Sequence, residues 1–155
     1  MGYFPLFVDM NEKEIRVFGG GTIALRRVKT LLAFGARITV VAPEIDRELQ
    51  ALAQEQQKLL LEYRSYRPSE LCEQDFVLAA TNDHQVNDAI FRECNHKHIP
   101  VNVASDKEKC DFYFPGIVKA GEIVVGVTAQ GKDHRQAAKV AKDIRKLLLQ
   151  SEEGA

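Results

Sequence analysis

The sequence lacks the features of a membrane, secreted or nucleic-acid-coating protein. No apolar run approaches the ~20 residues needed to cross a bilayer. The start, Met1-Gly-Tyr-Phe-Pro5, has neither the basic opening nor the long apolar core of a signal peptide. The expectation is a cytoplasmic protein. Only three cysteines occur, Cys72, Cys94 and Cys110, and none forms a C-x-x-C pair. That argues against a disulfide framework and against the usual zinc spacing, and points to free thiols. His96 and His98 stand near Cys94, but residues 93–98 read as the frayed end of a helix rather than as a metal site. A net charge of −1 argues against general binding to nucleic acids or anionic membranes. Repeats and low-complexity segments are also missing. With 45% apolar residues, a chain of 155 can build one well-cored domain and a small appendage.

What the chain does have is a glycine run in an informative place. Val17-Phe-Gly-Gly-Gly-Thr-Ile-Ala24 follows a short apolar run over 15–18, read as a first strand, and opens a helical pattern over 22–34. Gly19, Gly21 and Ala24 then have the G-x-G-x-x-A spacing of a dinucleotide fingerprint. Gly19 permits the tight turn, Gly21 lets the backbone approach a pyrophosphate, and Ala24 keeps the helix close to the sheet. The free N–H groups and positive dipole end of the helix would face the anion. The fold expected is α/β, a Rossmann-type parallel sheet with helices on both faces.

The first helix places Ala24, Val28, Leu31 and Leu32 on one face, leaves Arg26, Arg27 and Lys29 for water, and is ended by Gly35. The apolar stretch over 4–8 is expected beside the first strand or over its edge. A second strand over 37–41 runs into Ala42-Pro43-Glu44. No acid ends it to take the adenosine ribose, and no arginine follows to hold a 2′-phosphate, so these residues leave NAD or NADP open. A helix over 46–57, a strand over 58–63 and a short serine-capped helix from Ser69 to Glu73 come next. Residues 76–80 are continuously apolar, as in a central parallel strand, and end in Thr81-Asn82-Asp83. Polar residues there line the ligand crevice of a doubly wound sheet, and Asn-Asp also starts helices. A helix over 84–94 with Val86, Ala89 and Ile90 on one face, and a strand over 100–104, complete this part.

From about residue 112 the alternation breaks. Residues 122–128 read as a strand, and 133–150 as a helix with one stripe of Ala137, Val140, Ala141, Ile144, Leu147 and Leu148. Lys132, Arg135, Lys139, Lys142, Arg145 and Lys146 face only Asp133 and Asp143 in this stretch, as a solvated face or a surface for carboxylates. A strand and one helix cannot form a core unaided, so a homodimer is expected. The division expected is 1–112 for the nucleotide-binding domain and 113–155 for a dimerisation and substrate-cleft element, with 151–155 a loose tail.

The ordered set Leu6-Phe7, Val17-Phe-Gly-Gly-Gly21, Val40-Val-Ala-Pro43, Ala79-Ala-Thr-Asn-Asp83, Val101-Asn-Val-Ala-Ser-Asp106 and Cys110-Asp-Phe-Tyr-Phe-Pro115 resembles the precorrin-2 dehydrogenase family, the N-terminal module of siroheme synthase. The resemblance runs over nearly the whole chain. It implies oxidation of precorrin-2 to sirohydrochlorin with NAD as hydride acceptor, ferrous-iron insertion in some members, and a homodimer. Carried over, Gly19, Gly20, Gly21, Thr22 and Ile23 would hold the pyrophosphate, and Pro43 and Glu44 would border the adenosine. Thr81, Asn82, Asn102 and Val103 would stand near the nicotinamide. The family's functional aspartate lies after Asn102, where this chain has Ser105 and then Asp106; Asp106 is the catalytic candidate, with turn capping the alternative role.

Two departures stand out. Many relatives carry serine-threonine-glycine-glycine and then serine-proline, where this chain has Thr128-Ala-Gln-Gly131 and Lys132-Asp133-His134. Longer relatives also continue past the end of this sequence. Thr128, Lys132, His134 and Arg135 are the substrate-binding candidates, because a tetrapyrrole with eight carboxylates calls for cations. No metal ligand is assigned. The other readings are a non-catalytic nucleotide- or tetrapyrrole-binding module, and a chelatase without dehydrogenase activity.

Overall fold

A computed structural model describes residues 2–152, except for the side chains of His134, Gln150, Ser151 and Glu152. The chain divides into two compact units: Val8–Tyr113, and a second made from the residues at either end of it.

The larger unit is a five-stranded parallel sheet. Its strands are β1 (Glu14–Phe18), β2 (Arg37–Val41), β3 (Leu59–Glu62), β4 (Phe76–Ala79) and β5 (Val101–Val103), in the order β3-β2-β1-β4-β5. Phe18 lies opposite both Val41 and Ala79, so the three central strands end level. The chain reverses direction across the sheet between β1 and β4, where a doubly wound fold opens its ligand crevice. The strands are short apolar runs because both faces are covered: Val17, Val40, Leu78 and Val101 are all buried. Each such side chain contributes roughly 1.5–3 kcal/mol through removal from water.

Helix α1 (Thr22–Leu32) buries Ala24, Leu25, Val28 and Leu31, and Gly35 at φ 82 ends its run. Leu32 is not in the buried set, and Arg27 does not stay in water as expected. Its guanidinium reaches inward to Asn102, and burial pulls its pKa below the usual value. Helix α2 (Arg47–Glu55) is capped by Asp46, whose carboxylate accepts the Glu48 N–H at 2.8 Å.

Helix α3 (His84–Lys97) differs from its sequence reading in two ways. Its buried residues are Asn87, Ile90 and Cys94, a face rotated from Val86, Ala89 and Ile90. Its end is not frayed: His98 takes a left-handed conformation (φ 56), and the N–H groups of His98 and Ile99 close onto Asn95 and Cys94 carbonyls at 3.3 and 2.9 Å. Cys94 is buried there, and that burial pushes its thiol up to about 12.

The helix expected from Ser69 to Glu73 does not form. Ser69 is left-handed (φ 66), and the N–H groups of Ser69 and Leu71 donate to the Glu93 carboxylate at 3.0 and 2.9 Å instead of to helical carbonyls. Residues 4–8 form no strand, and β1 has β2 and β4 as its two neighbours in the sheet; Phe4, Leu6 and Phe7 are exposed.

The second unit holds a strand that the sequence reading missed. β6 (Gly116–Ala120) pairs antiparallel with β7 (Ile123–Val127) through the two-residue turn at Gly121 (φ 52) and Glu122. Helix α4 (His134–Glu152) packs on this hairpin, with Ala141 buried against Gly116. Ser151 and Glu152 are helical rather than a tail, and 153–155 lie outside the described residues. Among the described residues no helix is long and apolar enough to cross a membrane.

Candidate functional site

The turn after β1 gives its three glycines three different jobs. Gly19 has φ +113, and a Cβ there would stand 2.2 Å from the Ala80 carbonyl oxygen. Gly20 has its α-carbon against β2's exit loop, where a Cβ would meet the Glu44 carbonyl oxygen at 2.4 Å. Gly21 is the opposite case: its φ is −90, and nothing lies within 4 Å of where a Cβ would be. Hydrogen bonds hold this geometry, from Gly19 N to Val41 O (3.0 Å), Ala80 N to Phe18 O (2.7 Å) and Asp46 N to Gly20 O (2.8 Å).

The start of α1 therefore opens on empty space. No side chain caps it and no acid stands in its first turn. The first N–H groups of the helix and its positive dipole end are available to an anion. Beside them lies a cleft of about 850 Å³, the size of a small-molecule or cofactor site. Its walls are residues 18–23, residues 41–46, Ser65 and Tyr66, residues 80–83, and Val86.

Pro43 and Glu44, after β2, and Ser65 and Tyr66, after the neighbouring β3, line one side of the cleft. The Tyr66 ring stands edge-on to Phe18, with centroids 5.2 Å apart at 86°. Its hydroxyl donates to Glu93, and burial, then this carboxylate, raises its pKa. Burial alone would raise the Glu93 carboxyl, but hydrogen bonds from Tyr66, Leu71, Lys97 and Ser69 together hold it below the usual value.

At the other end, residues 81–83 do both things expected of them. They line the cleft, and Asp83 caps α3 by accepting from Gln85 N at 2.8 Å and Val86 N at 3.3 Å. Thr81 is fixed from behind by Asn87, which is buried.

Other candidates stand elsewhere. Asn102 and Val103 are buried and do not line the cleft. The Asn102 amide accepts from Arg27 Nη1 at 2.6 Å and donates to the Phe112 carbonyl at 2.7 Å, so both its ends have structural partners. Asp106 also lies outside the cleft wall. It caps a single 3-10 turn, Lys107–Lys109, accepting from Glu108 N at 3.0 Å, and its other oxygen is 3.3 Å from Lys109 Nζ. Lys109 also binds Asp88 at 2.7 Å, and Asp88 first, then Asp106, raises its pKa. In the second unit Thr128 accepts from Gln130 N at 3.2 Å, and Lys132 and Arg135 are exposed. The His134 side chain lies outside the described residues. Among the described residues no group of three or more His, Cys, Asp or Glu side chains could hold a metal ion.

An NAD(P)-binding family model, NAD_binding_7, matches residues 6–116. The precorrin-2 dehydrogenase of Bacillus subtilis is 33% identical over 144 residues, an alignment covering 93% of this chain and 88% of that protein. The chain belongs to the precorrin-2 dehydrogenase family. A solved precorrin-2 dehydrogenase structure, SirC, superposes with a TM-score of 0.77 at 26% identity, over 93% of this chain and 70% of its own. A multifunctional siroheme biosynthesis protein of Ruminiclostridium josui is 42% identical over 149 residues, and the siroheme synthase of Psychrobacter cryohalolentis is 38% identical over 132. The chain spans only 28% and 25% of the lengths of those two larger proteins.

For a member of this family, the cleft gathers nine of the sequence candidates: Gly19, Gly20, Gly21, Thr22, Ile23, Pro43, Glu44, Thr81 and Asn82. Sequence reasoning missed Ser65, Tyr66 and Asn87. Tyr66 left only a weak signal, an aromatic in a polar stretch. Asn87 left a better one, a polar residue three before Ile90 and seven before Cys94 on the buried face of a helix.

Proposed function

We propose that this chain binds NAD in the cleft above β1 and β4 and oxidises precorrin-2 to sirohydrochlorin in siroheme or related tetrapyrrole biosynthesis. The supporting observation is the uncapped start of α1 beside a Gly21 whose Cβ side is open. That is a cradle for a pyrophosphate and has no other evident use. The family membership supplies the substrate class, through the precorrin-2 dehydrogenase that the chain matches over most of its length.

In this reading the backbone of residues 19–23 holds the pyrophosphate, and Pro43 and Glu44 border the adenosine, with Ser65 and Tyr66 lining the same cleft. Thr81 and Asn82 flank the nicotinamide, and Asn102 and Val103 support that end from the core beneath it. NAD, when bound, is the hydride acceptor. Oxidation of precorrin-2 removes one hydride and one proton, so the protein must take the proton and steady the cation left by hydride loss. Asp106 is assigned that role. Its carboxylate accepts one N–H and one lysine, which leaves lone pairs for a proton. Thr128, Lys132, His134 and Arg135 are assigned to the substrate's carboxylates, with Lys132 and Arg135 exposed and available to them. The proposal includes a cytoplasmic homodimer built through the 113–155 element. It also includes ferrous iron as a substrate for insertion.

A second reading, a binding module without chemistry, draws on the Asp106 carboxylate serving as a turn cap outside the cleft wall. Anaerobic absorbance with fresh precorrin-2, NAD or NADP, and wild type or Asp106→Ala separates the two. Sirohydrochlorin formed with NAD by wild type, and strongly reduced in the variant, supports the dehydrogenase. Tetrapyrrole binding without oxidation under either cofactor supports the module, and adding ferrous ion to sirohydrochlorin then tests insertion.

A further inference from the structure

The buried amide of Asn87 ties together two loops at the C-terminal edge of the sheet. Only 1% of the residue is exposed, although it is an uncharged polar side chain on the core face of α3. Its Oδ1 accepts the Thr81 backbone N–H at 3.2 Å and the Thr81 hydroxyl at 2.7 Å. Its Nδ2 donates to the Thr81 carbonyl at 3.1 Å and, more weakly, to the Ser105 hydroxyl at 3.4 Å. An N–H and a carbonyl of one residue thus face the two ends of one amide, which fixes which end is oxygen. Both ends of the amide are thus bonded, with the single Thr81 hydroxyl proton placed between Asn87 Oδ1 and the Asp83 carbonyl oxygen at 3.0 Å.

These contacts sit between the parts of the proposed reaction. Thr81 lines the cleft, and the preceding Ala80 carbonyl abuts Gly19 of the phosphate turn. Ser105 immediately precedes Asp106. On the buried face of α3 an apolar residue would serve if packing were the only demand, since a buried amide must be bonded to avoid a penalty. We propose that Asn87 is a positioning residue that sets the β4 exit loop, where the nicotinamide is placed, against the loop bearing Asp106, and so fixes the approach of hydride acceptor and base. This rests on the dehydrogenase reading of the same cleft.

The test uses the full chain as wild type, Asn87→Ala, Asn87→Asp and Ser105→Ala. Three readouts are compared: peptide-resolved amide hydrogen exchange, NAD affinity by titration calorimetry, and steady-state kinetics with precorrin-2. Asn87→Ala is expected to speed exchange in residues 80–83 and 104–106 by roughly tenfold while β1, β2 and the β6–β7 hairpin stay as in wild type. It should lower kcat by about 10- to 100-fold, the scale of a small misplacement at a reacting centre, with only a few-fold change in NAD affinity. Asn87→Asp keeps the acceptor for Thr81 but loses the donor to both the Thr81 carbonyl and the Ser105 hydroxyl, so it should loosen 80–83 and 104–106 together. Ser105→Ala should loosen 104–106 alone with NAD affinity unchanged. The inference is overturned if exchange in both loops matches wild type, if it rises evenly over the whole unit, or if an active wild type and the variants share one kcat. Where Asn87→Ala does not fold, Asn87→Asp and Ser105→Ala decide by the same readouts. An inactive wild type would remove the dehydrogenase reading, and exchange with NAD titration would still decide whether Asn87 holds the two loops.

Discussion

The two units of this chain solve the burial problem unequally. Val8–Tyr113 has a sheet covered on both faces, and its large side chains Phe18, Ile38, Leu49, Leu71, Leu78 and Ile90 are almost completely buried. In the unit of β6, β7 and α4, Val118, Ala120 and Ala141 are the buried hydrophobics among the described residues, while Ile123, Val140 and Leu149 are exposed. A hairpin with one helix has too few layers to enclose a core. The dense unit carries the cleft, and the thin one leaves apolar side chains exposed.

The largest expected effect comes from separating the units. A fragment of residues 8–113 should unfold cooperatively and retain NAD binding, whereas 114–155, the longer piece of the other unit, should give no cooperative transition alone. Circular dichroism melts of the two fragments check this, and a cooperative melt of the shorter one would break the comparison.

Next in size are glycine substitutions. Gly19→Ala forces a left-handed conformation on alanine and places its Cβ 2.2 Å from a backbone oxygen, which should cost about 3 kcal/mol or more. Gly126→Ala in β7 meets only the Pro115 side chain, at 3.5 Å, and should change stability by less than about 1 kcal/mol. Gly21→Ala sharpens the contrast inside the dense unit. Its Cβ has open space, so urea midpoints should barely move, yet NAD affinity should fall roughly tenfold, about 1.4 kcal/mol of binding.

Gly19 and Gly21 were legible before the fold was known because the fingerprint that contains them is local, a turn and a helix start within six residues. The polar end of β4 was legible for the same reason, since Thr81-Asn82-Asp83 interrupts an apolar run. Tyr66 was not, because its place against Phe18 and Glu93 depends on an irregular crossover from β3 to β4 that replaces the expected helix. Asn87 required the true face of α3, which the apolar pattern placed one position away. β6 was hidden because five residues after Pro115 gain strand character only from their partner, β7. The motif reading nevertheless reached the family, because the fingerprint, the β2 exit and the β4 exit keep their spacing along the chain.

A pH titration probes the dense unit at the crossover. The Glu93 and Glu70 carboxyls both lie below their usual values in the folded protein. A depressed carboxyl pKa stabilises the fold above the unfolded value, near 4.3 for glutamate, and that contribution disappears as pH falls through the lower folded value. Glu93→Gln should therefore cost about 1–3 kcal/mol at pH 7, because a neutral amide replaces an acceptor of two N–H groups, a tyrosine and a lysine. The gap between variant and wild type should narrow toward pH 3 in urea titrations. A gap independent of pH would mean that packing, not the carboxylate, holds the crossover.

The smallest effect on stability should fall on the thin unit, where it is most informative about assembly. Val140 lies on the apolar stripe of α4 and is 41% exposed. Replacing it with serine removes part of a side chain that is only half covered within one chain, so Val140→Ser should shift monomer stability by no more than about 1 kcal/mol. In the proposed homodimer the same methyl groups would be enclosed between the two copies, and each buried CH2-sized group contributes about 0.8 kcal/mol. A symmetric interface presents the residue twice, which doubles the loss. The dimer dissociation constant should then rise by about tenfold or more in sedimentation equilibrium, while the melt at saturating dimer concentration falls with it. An unchanged association constant would place the exposed stripe outside the dimer interface and leave its apolar surface to the substrate or another partner.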